Sequence, residues 1–388
     1  MTKEFKVFYD GTSATQEQLD SIEEIVVEQE VGHQWVARIK IPVCIKEDGS
    51  WDAENDPAYA EFARVRVEAR IGDGDFIPLI DGTIQSQEPD LNASPGLSVI
   101  TLLVHDDTNL LHREAVSESF PPGDGDSEIV TSIFNTADLG EDPDIDDIPA
   151  RPDSNAVLNQ HGTMMEMLRS IAARYTNYHA YVLPGTSAGT SKGCFKKLPT
   201  EPDPGLPTMF LSGPDRNITG FRIQRNSGQA ARVEGAHLSM SDKSVTPASA
   251  GPGDTAPPSG ETAAGGTATD TRLRRLPPGI GDHTDLQEAA DGMAQESSFT
   301  LSADGSVIPA CYSAILSPYR MVSVRLSNSR YSSGYVIYKV VHTLGISEYT
   351  QSFSVLGNAV SPEASPSASL PDVSALLAVS FNVQVDIF

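Results

Sequence analysis

Apolar and polar residues alternate along the first 115 positions of this chain. Trp35, Ala37, Ile39 and Ile41 fall on one face and Val36, Arg38 and Lys40 on the other, the period of a half-buried strand. Val65, Val67, Ala69 and Ile71 repeat the pattern against Arg64, Arg66, Glu68 and Arg70. Gly72-Asp73-Gly74-Asp75 then supplies residues that tolerate positive φ, which predicts a hairpin into Phe76–Ile80. Leu97–Val104 is apolar on both faces apart from Ser98 and Thr101, as suits an interior strand. Residues 1–115 therefore read as a first antiparallel β domain.

The period changes in the middle of the chain. Ser127 is placed to cap a helix with the stripe Ile129, Val130, Ile133, Phe134 and Ala137, which stops at Gly140. Thr163 and Glu166 form a capping box ahead of Met167, Leu168, Ile171, Ala172 and Tyr175. Between them, Glu141–Asp153 carries six carboxylates and three prolines and reads as a solvated loop. Residues 116–215 thus form a mixed α/β connecting domain.

Alternation returns over Ile218–Val233 and again over Ser298–Gly357, giving a second β domain at 216–360 with an interruption at 241–296. Of the 27 residues from Ser244 to Asp270, 23 are Gly, Pro, Ser, Thr or Ala, a composition expected to form an exposed flexible excursion. A short helix capped by Thr284 with Gln287 follows, carrying Leu286, Ala289, Ala290 and Met293. The two β domains share a faint plan. Asp81-Gly82-Thr83-Ile84 and Val104-His105 in the first parallel Ser333-Gly334-Tyr335-Val336 and Val341-His342 in the second, which suggests a duplication. The fold expected is mainly β, with two tube-like antiparallel barrels, a small mixed domain and a flexible insertion. Residues 361–388 follow as a linker and tail, where Phe381, Val383, Val385 and Ile387 alternate with polar residues as a strand that could add to a partner.

Composition narrows the function. The 388 residues are 39% apolar and 7% aromatic, enough for buried cores. No run of 18 apolar residues occurs, and the N-terminus lacks the layout of an export signal, so neither a membrane span nor a cleaved leader is expected. The net charge of −26 repels nucleic acid, although a like-charged channel wall would let a polyanion pass without sticking. Asp outnumbers Glu and Arg outnumbers Lys, a bias compatible with a high-salt cytoplasm.

Candidate chemistry is sparse. Gly185-Thr186-Ser187-Ala188-Gly189 fits the G-x-S-x-G pattern of hydrolases, but no helical stripe follows it, so a loop is the better reading. Asp106-Asp107 and Asp146-Asp147 could be drawn as paired acids, yet both sit in turn-like or acidic stretches. His105, His112, His161, His179 and His342 lack the spacing that puts two imidazoles on one helix face, and read as strand-end or surface residues. Asp142, Asp144 and Asp146 lack the Gly and distal Glu of a calcium loop. Cys44, Cys194 and Cys311 are expected to be reduced and mostly buried. No catalytic residue, metal ligand or cofactor site is expected.

Three stretches of the second β domain run in a familiar order: Val322-Ser323-Val324, Ser333-Gly334-Tyr335-Val336-Ile337 with Val340-Val341-His342, and Tyr349-Thr350-Gln351-Ser352-Phe353. Ile80–Ile84, Leu102–Asp106 and Asn109–Arg113 support it in the first, and Gln160–Tyr175 fits the helical joint between the halves. The chain resembles the phage late control D family. That resemblance implies the hub of a contractile tail or related injection-system baseplate, a homotrimer that joins a hexameric tube to a trimeric spike around an acidic lumen for cargo. It implies as partners the tail tube protein, a separate spike protein, and baseplate wedge and tape-measure proteins. The expected location is the virion tail or injection particle, assembled in the host cytoplasm. No needle or lysozyme-like region is visible, so spike and wall-degrading enzyme would be separate chains. A tail-associated glycan hydrolase and a β-sandwich adhesin are the alternatives.

Overall fold

The structure is a computed structural model that describes residues 3–46, 49–51, 56–94, 96–121, 125–148, 158–238, 243–252, 262–263, 272–276, 285–345 and 348–361. Its strands collect into a thirteen-stranded sheet and four small ones. Apart from the two-residue strand Thr12–Ser13, the main sheet has twelve strands, numbered here in chain order. The first six are β1 (Lys3–Tyr9), β2 (Glu24–Glu30), β3 (Val36–Pro42), β4 (Arg64–Ile71), β5 (Ile77–Asp90) and β6 (Val99–Asp106). The second six are β7 (Met209–Phe210), β8 (Ile218–Arg225), β9 (Leu301–Val307), β10 (Met321–Arg325), β11 (Gly334–Gly345) and β12 (Tyr349–Gly357).

The two sets have the same order. The first runs β2-β3-β6-β5-β4-β1 and the second β8-β9-β12-β11-β10-β7. All neighbouring pairs within the sets are antiparallel except β7–β10, which is parallel. The registers also match. Val27 pairs Ala37, Ala37 pairs Val104 and Val104 pairs Ile84 in the first unit. Ile223, Ala303, Val355 and Ile337 pair in the same succession in the second. Each unit has a bulge just after the last of these residues, between Ile84 and Ser86 and between Ile337 and Lys339. The amide of Ile84 donates to the Ala63 carbonyl (3.0 Å) and that of Ile337 to the Arg320 carbonyl (2.8 Å). In both units the residue before that carbonyl is an aromatic at positive φ, Phe62 at 67° and Tyr319 at 62°.

The duplication suggested by the sequence is thus visible in the topology, with a different residue match. Val104 corresponds to Val355, whereas Val341 and His342 lie on β11, the counterpart of β5. Gly82 corresponds to Tyr335, one residue away from Gly334. The mainly β class with a minor helical part stands. The described strands do not close two barrels, however: β2 pairs β11 from Glu24↔Gly345 to Glu30↔Lys339, and this seam joins both units into one continuous sheet.

The side chains on the inner faces form separate cores. Ile25, Val27, Ala37, Ile39, Val65, Val67, Ile80, Ile84, Leu102 and Val104 fill the first unit. Met209, Ile218, Leu301, Val322, Tyr335, Ile337, Val340, Phe353 and Val355 fill the second. Leu97, read as part of an interior strand, instead lies 59% exposed before β6 begins.

The connecting region has its own core of Ile129, Val130, Ile133, Phe134, Met165, Leu168, Ile171 and Phe195. Helix Met164–Ala172 starts at the capping box read from the sequence, with Thr163 Oγ1 accepting from the Glu166 amide (3.2 Å) and Glu166 Oε2 accepting from the Thr163 amide (2.8 Å). Helix Asp126–Thr136 begins earlier than Ser127, at an N-cap on Gly125. The reason is Asp126: its buried carboxylate accepts from Arg174 (3.1 Å) and from the Tyr175 hydroxyl (2.8 Å), which fixes it inside the first turn. The acidic loop is partly ordered into a strand. Asp144–Ile145 pairs parallel with Cys194–Phe195, and Lys196 neutralises Asp144 at 2.8 Å.

The interruption in the second unit also departs from its composition. Val245–Ala250 is a strand paired with Ala231–Leu238, whose other edge takes Arg272–Arg275 in parallel. Ala residues make this possible, because Ala248 and Ala250 pack with Val233 of the paired strand and with Ala289, Ala290 and Ala294 of helix Leu286–Ser298. That helix is capped by Asp285, whose carboxylate accepts from the Gln287 amide (2.8 Å), while Thr284 lies outside the described residues. Much of Gly253–Asp270 lies outside them too. Of the three thiols, Cys194 is buried and Cys44 and Cys311 are exposed, since both fall in turns beyond the strands.

Gly82 gives a direct test of the packing. A Cβ there would lie 1.9 Å from the carbonyl oxygen of His105 on β6, so the two backbones meet only because position 82 has no side chain. Gly82→Ala is expected to lower unfolding stability by about 2–3 kcal/mol, read from urea denaturation.

Candidate functional site

The G-x-S-x-G segment is where the sequence-predicted chemistry converges. It is the turn of a hairpin between strands Tyr178–Pro184 and Ser191–Lys197, with no helix behind it. Its glycines serve that turn. A Cβ on Gly185 would lie 2.3 Å from Thr190 Oγ1 and 2.7 Å from Glu141 Oε1, and Gly189 has φ +92°.

Alternation on β4 would send Arg64 and Arg66 to solvent, but the hairpin turn covers them. Arg66, 3% exposed, donates to Asp81 (3.1 Å), to the Gly185 carbonyl (2.9 Å) and to the Ser187 carbonyl (3.1 Å). Asp81 on β5 also accepts from Arg64 Nε (2.8 Å) and from the Gly189 amide (3.0 Å). Arg64 forks onto both oxygens of Asp107, which further accepts from the Ser191 hydroxyl (2.8 Å). Two guanidiniums and two carboxylates therefore clasp the hairpin to the first β unit, each charge paired and hydrogen-bonded as burial requires. At the far side Glu141 accepts from the Thr186 hydroxyl (2.7 Å) and amide, and these bonds hold its carboxyl well below the usual range, at about 2. The corresponding positions of the second unit are Met321, Ser323 and Gly334, so this clasp belongs to the first unit alone.

This arrangement uses the Ser187 carbonyl, and no described histidine faces its hydroxyl as a base. The neighbouring acids are also committed. Asp106 is buried and accepts from the Thr108 amide (3.3 Å) and hydroxyl (3.2 Å) at the start of helix Thr108–His112, and burial pushes its carboxyl up to about 8. A buried acid with a raised value next to a second carboxyl is the arrangement sought for glycoside hydrolysis, but Asp106 is 3% exposed and Asp107 is filled by Arg64 and Ser191. Among the described residues no three His, Cys, Asp or Glu side chains cluster as a metal site.

The histidines are not all at strand ends or on the surface. His342 sits fully buried in mid β11, at the seam, where Nδ1 meets the Tyr349 hydroxyl (2.8 Å) and Nε2 meets Gln29 Oε1 (3.2 Å). Gln29 in turn donates to the Leu79 carbonyl (2.7 Å). Burial lowers the imidazole to about 3, so it is neutral at physiological pH. Only the polar residues Gln29 and His342 in apolar alternation hinted at this, and nothing in the sequence showed that they meet. Phe381, Val383, Val385 and Ile387 lie outside the described residues.

No family model and no curated protein matches the sequence. Solved structures do match. The tail protein of Neisseria meningitidis MC58 superposes with a TM-score of 0.63 at 13% identity, covering 92% of this chain and 97% of that one. The 43 kDa tail protein of prophage MuSo2 from Shewanella oneidensis gives 0.61 at 13% identity, over 91% and 98%. The fold is that of phage tail proteins. A component of the type VI secretion system of E. coli, described as structurally similar to bacteriophage T4 tail proteins, shares the fold at a TM-score of 0.52 and 9% identity, over 93% and 79%. Within this tail-protein fold, no helix among the described residues is long and apolar enough to cross a membrane.

Two measurements test the clasp. Ser187→Ala is expected to change stability by less than about 0.5 kcal/mol, whereas Arg66→Ala, which strands the buried Asp81, costs about 3–5 kcal/mol in chemical denaturation. The second concerns Asp106. Its folded-state value lies above the ordinary 3.8, so the native state keeps a proton that the unfolded chain releases, and its contribution to stability is lost as pH rises from about 4 to about 8. Asp106→Asn removes that loss, and its stability advantage over wild type grows between about pH 5 and about pH 8 in parallel denaturation curves.

Proposed function

We propose that this chain is the central hub of a contractile tail or injection-system baseplate, a homotrimer that adapts a hexameric tube to a trimeric spike. The observation that carries this reading is the doubled six-strand unit: one chain holds two copies of a single strand order in matching register. Three such chains around a threefold axis present six similar units to a sixfold tube and remain threefold toward a spike. The tail-protein fold over 92% of the chain supports it.

In this reading residues 1–115 and 216–360 are the two ring-forming units, and 116–215, which also lends β7 to the second unit, braces the first through the Arg64, Arg66, Asp81 and Asp107 clasp. The role is structural and not enzymatic. The net charge of −26 gives the ring a negative wall that a polyanionic or acidic cargo crosses without adhering. The tube protein, a separate spike protein, and wedge and tape-measure proteins are its partners, in a virion tail or injection particle assembled in the host cytoplasm. The alternating residues Phe381, Val383, Val385 and Ile387 are assigned to the spike by strand addition.

Native mass measurement of the protein alone and with its tube protein is expected to give three copies, and microscopy of the complex a ring with a central channel. Truncation after Ser361 should leave the trimer and weaken spike capture. A monomer or dimer in assembled particles would reject the hub.

A further inference from the structure

The seam that joins the two units inside the chain has a counterpart that the chain leaves unfilled. In the seam, β2 of the first unit adds to the C-terminal part of β11 in the second, on the side away from β12. By the register match, β2 corresponds to β8 and β11 to β5. Among the described strands β8 pairs only with β9, and no other covers its outer edge. Strand β5 pairs with β4 only as far as Thr83, and beyond the Ile84 contact no described strand covers Ser86–Asp90 on that side. Both halves of a second seam are present in one chain, on different units, and a chain cannot join them to each other while the first seam occupies the middle of the sheet.

We infer that β8 of one copy pairs antiparallel with Ser86–Asp90 of the next copy, in the register set by β2 and β11. This pairing rests on the trimeric reading above and names the contact that closes the ring. In the internal seam Thr343 faces Val26, Val340 faces Gln29 and Lys339 faces Glu30. The equivalent places put Asp90 opposite Arg222, Gln87 opposite Arg225 and Ser86 opposite Asn226, so a carboxylate meets a guanidinium, with Glu88 diagonal to Arg222.

Two exposed apolar side chains fall into place. Tyr319, just before β10, accepts through its hydroxyl from the Gly32 amide at 2.8 Å, which sets the tip of this side chain against the turn that ends β2, while its ring stacks on Tyr181 with centroids 3.6 Å apart. Its counterpart is Phe62, 68% exposed, and the counterpart of Gly32 is Gly228. The pairing brings Phe62 of one copy beside Gly228 of the next, as an apolar contact only, because phenylalanine has no hydroxyl to accept from the Gly228 amide. Leu91, 50% exposed just past β5, corresponds to Leu344, which faces Ile25; it then meets Phe221, the counterpart of Ile25. An edge left open beside two exposed apolar residues invites aggregation, and a second copy removes both liabilities.

The test is disulfide trapping in the full chain with Cys44→Ser and Cys311→Ser. Directly opposed residues of an antiparallel pair have Cα atoms about 4.5–5.5 Å apart, within disulfide reach. Asp90→Cys with Arg222→Cys is expected to give, under mild oxidation, a covalent species of three times the 41.5 kDa chain mass. Asp90→Cys with Asn226→Cys, about 13 Å out of register, should not link. A second pair of variants avoids oxidation. Asp90→Arg should weaken trimer association at least about tenfold through like charges facing Arg222, and adding Arg222→Asp should restore it. A trimer that forms normally while Asp90→Cys and Arg222→Cys never link, or that links only in the offset pair, overturns this seam and leaves the hub standing. A wild-type chain that stays monomeric alone and with its tube protein overturns both.

Discussion

The pairing of Glu24–Glu30 with Lys339–Gly345 is the contact on which the rest of the main sheet depends. It brings together strands more than three hundred residues apart and makes one surface of two units. Each backbone hydrogen bond in such a ladder contributes a net of only about 0.5–1.5 kcal/mol, so the ladder alone does not fix which residues meet. Side chains do that. Lys339 reaches Glu28 (3.2 Å) and Glu30 (3.1 Å) on one face, while His342, Gln29 and Tyr349 satisfy one another on the buried face. A slip by one residue would turn His342 to the other face and leave Gln29 Oε1 buried without its imidazole partner, at about 1–3 kcal/mol for the orphaned oxygen, while Gln29 keeps its bond to the Leu79 carbonyl.

Local periodicity made much of this legible. Trp35, Ala37, Ile39 and Ile41 are buried as their alternation required, and the Thr163–Glu166 capping box opens the helix it announced. What failed was whatever depends on distant partners. Composition made Val245–Ala250 look like linker because it counts Ala, Ser and Pro as flexible, yet alanines are small enough to let that strand sit against the alanine face of helix Leu286–Ser298. Arg66 looked solvent-facing by its place on β4, and only the hairpin folding back over it makes it buried. The match of Val104-His105 to Val341-His342 was a likeness of letters on strands that are not counterparts.

The first and second units carry different burdens on the same frame. The first holds the connecting region, and its Arg64, Arg66 and Asp81 stand where the second has Met321, Ser323 and Gly334. In a chain of net charge −26, pairing Asp81 and Asp107 with the buried Arg66 and the partly buried Arg64 keeps their repulsion low, and the directional bonds fix the hairpin's orientation where apolar contact would let it slide. The second unit instead carries the satellite sheet inserted between β8 and β9, held by small residues around Val233 and Leu276.

Tethering explains why the internal seam and its open counterpart differ in composition. Two strands on one chain meet at the effective concentration the chain imposes, so their seam can be deeply buried and can include polar groups such as His342 and Gln29 that are satisfied only after both strands are in place. A seam made between separate molecules must present edges that survive exposure beforehand. Glu88, Pro89 and Asp90 on one edge and Arg222 and Arg225 on the other are residues of that kind: charged or, for Pro89, without a backbone N–H to donate, they discourage pairing with unrelated strands. Duplication would then supply two identical edges, and the difference in how each is met accounts for their divergence. The tethered edge gained one buried face and keeps its ion pairs on the other, while the outer one carries opposite charges that are tolerable in water and complementary only in register.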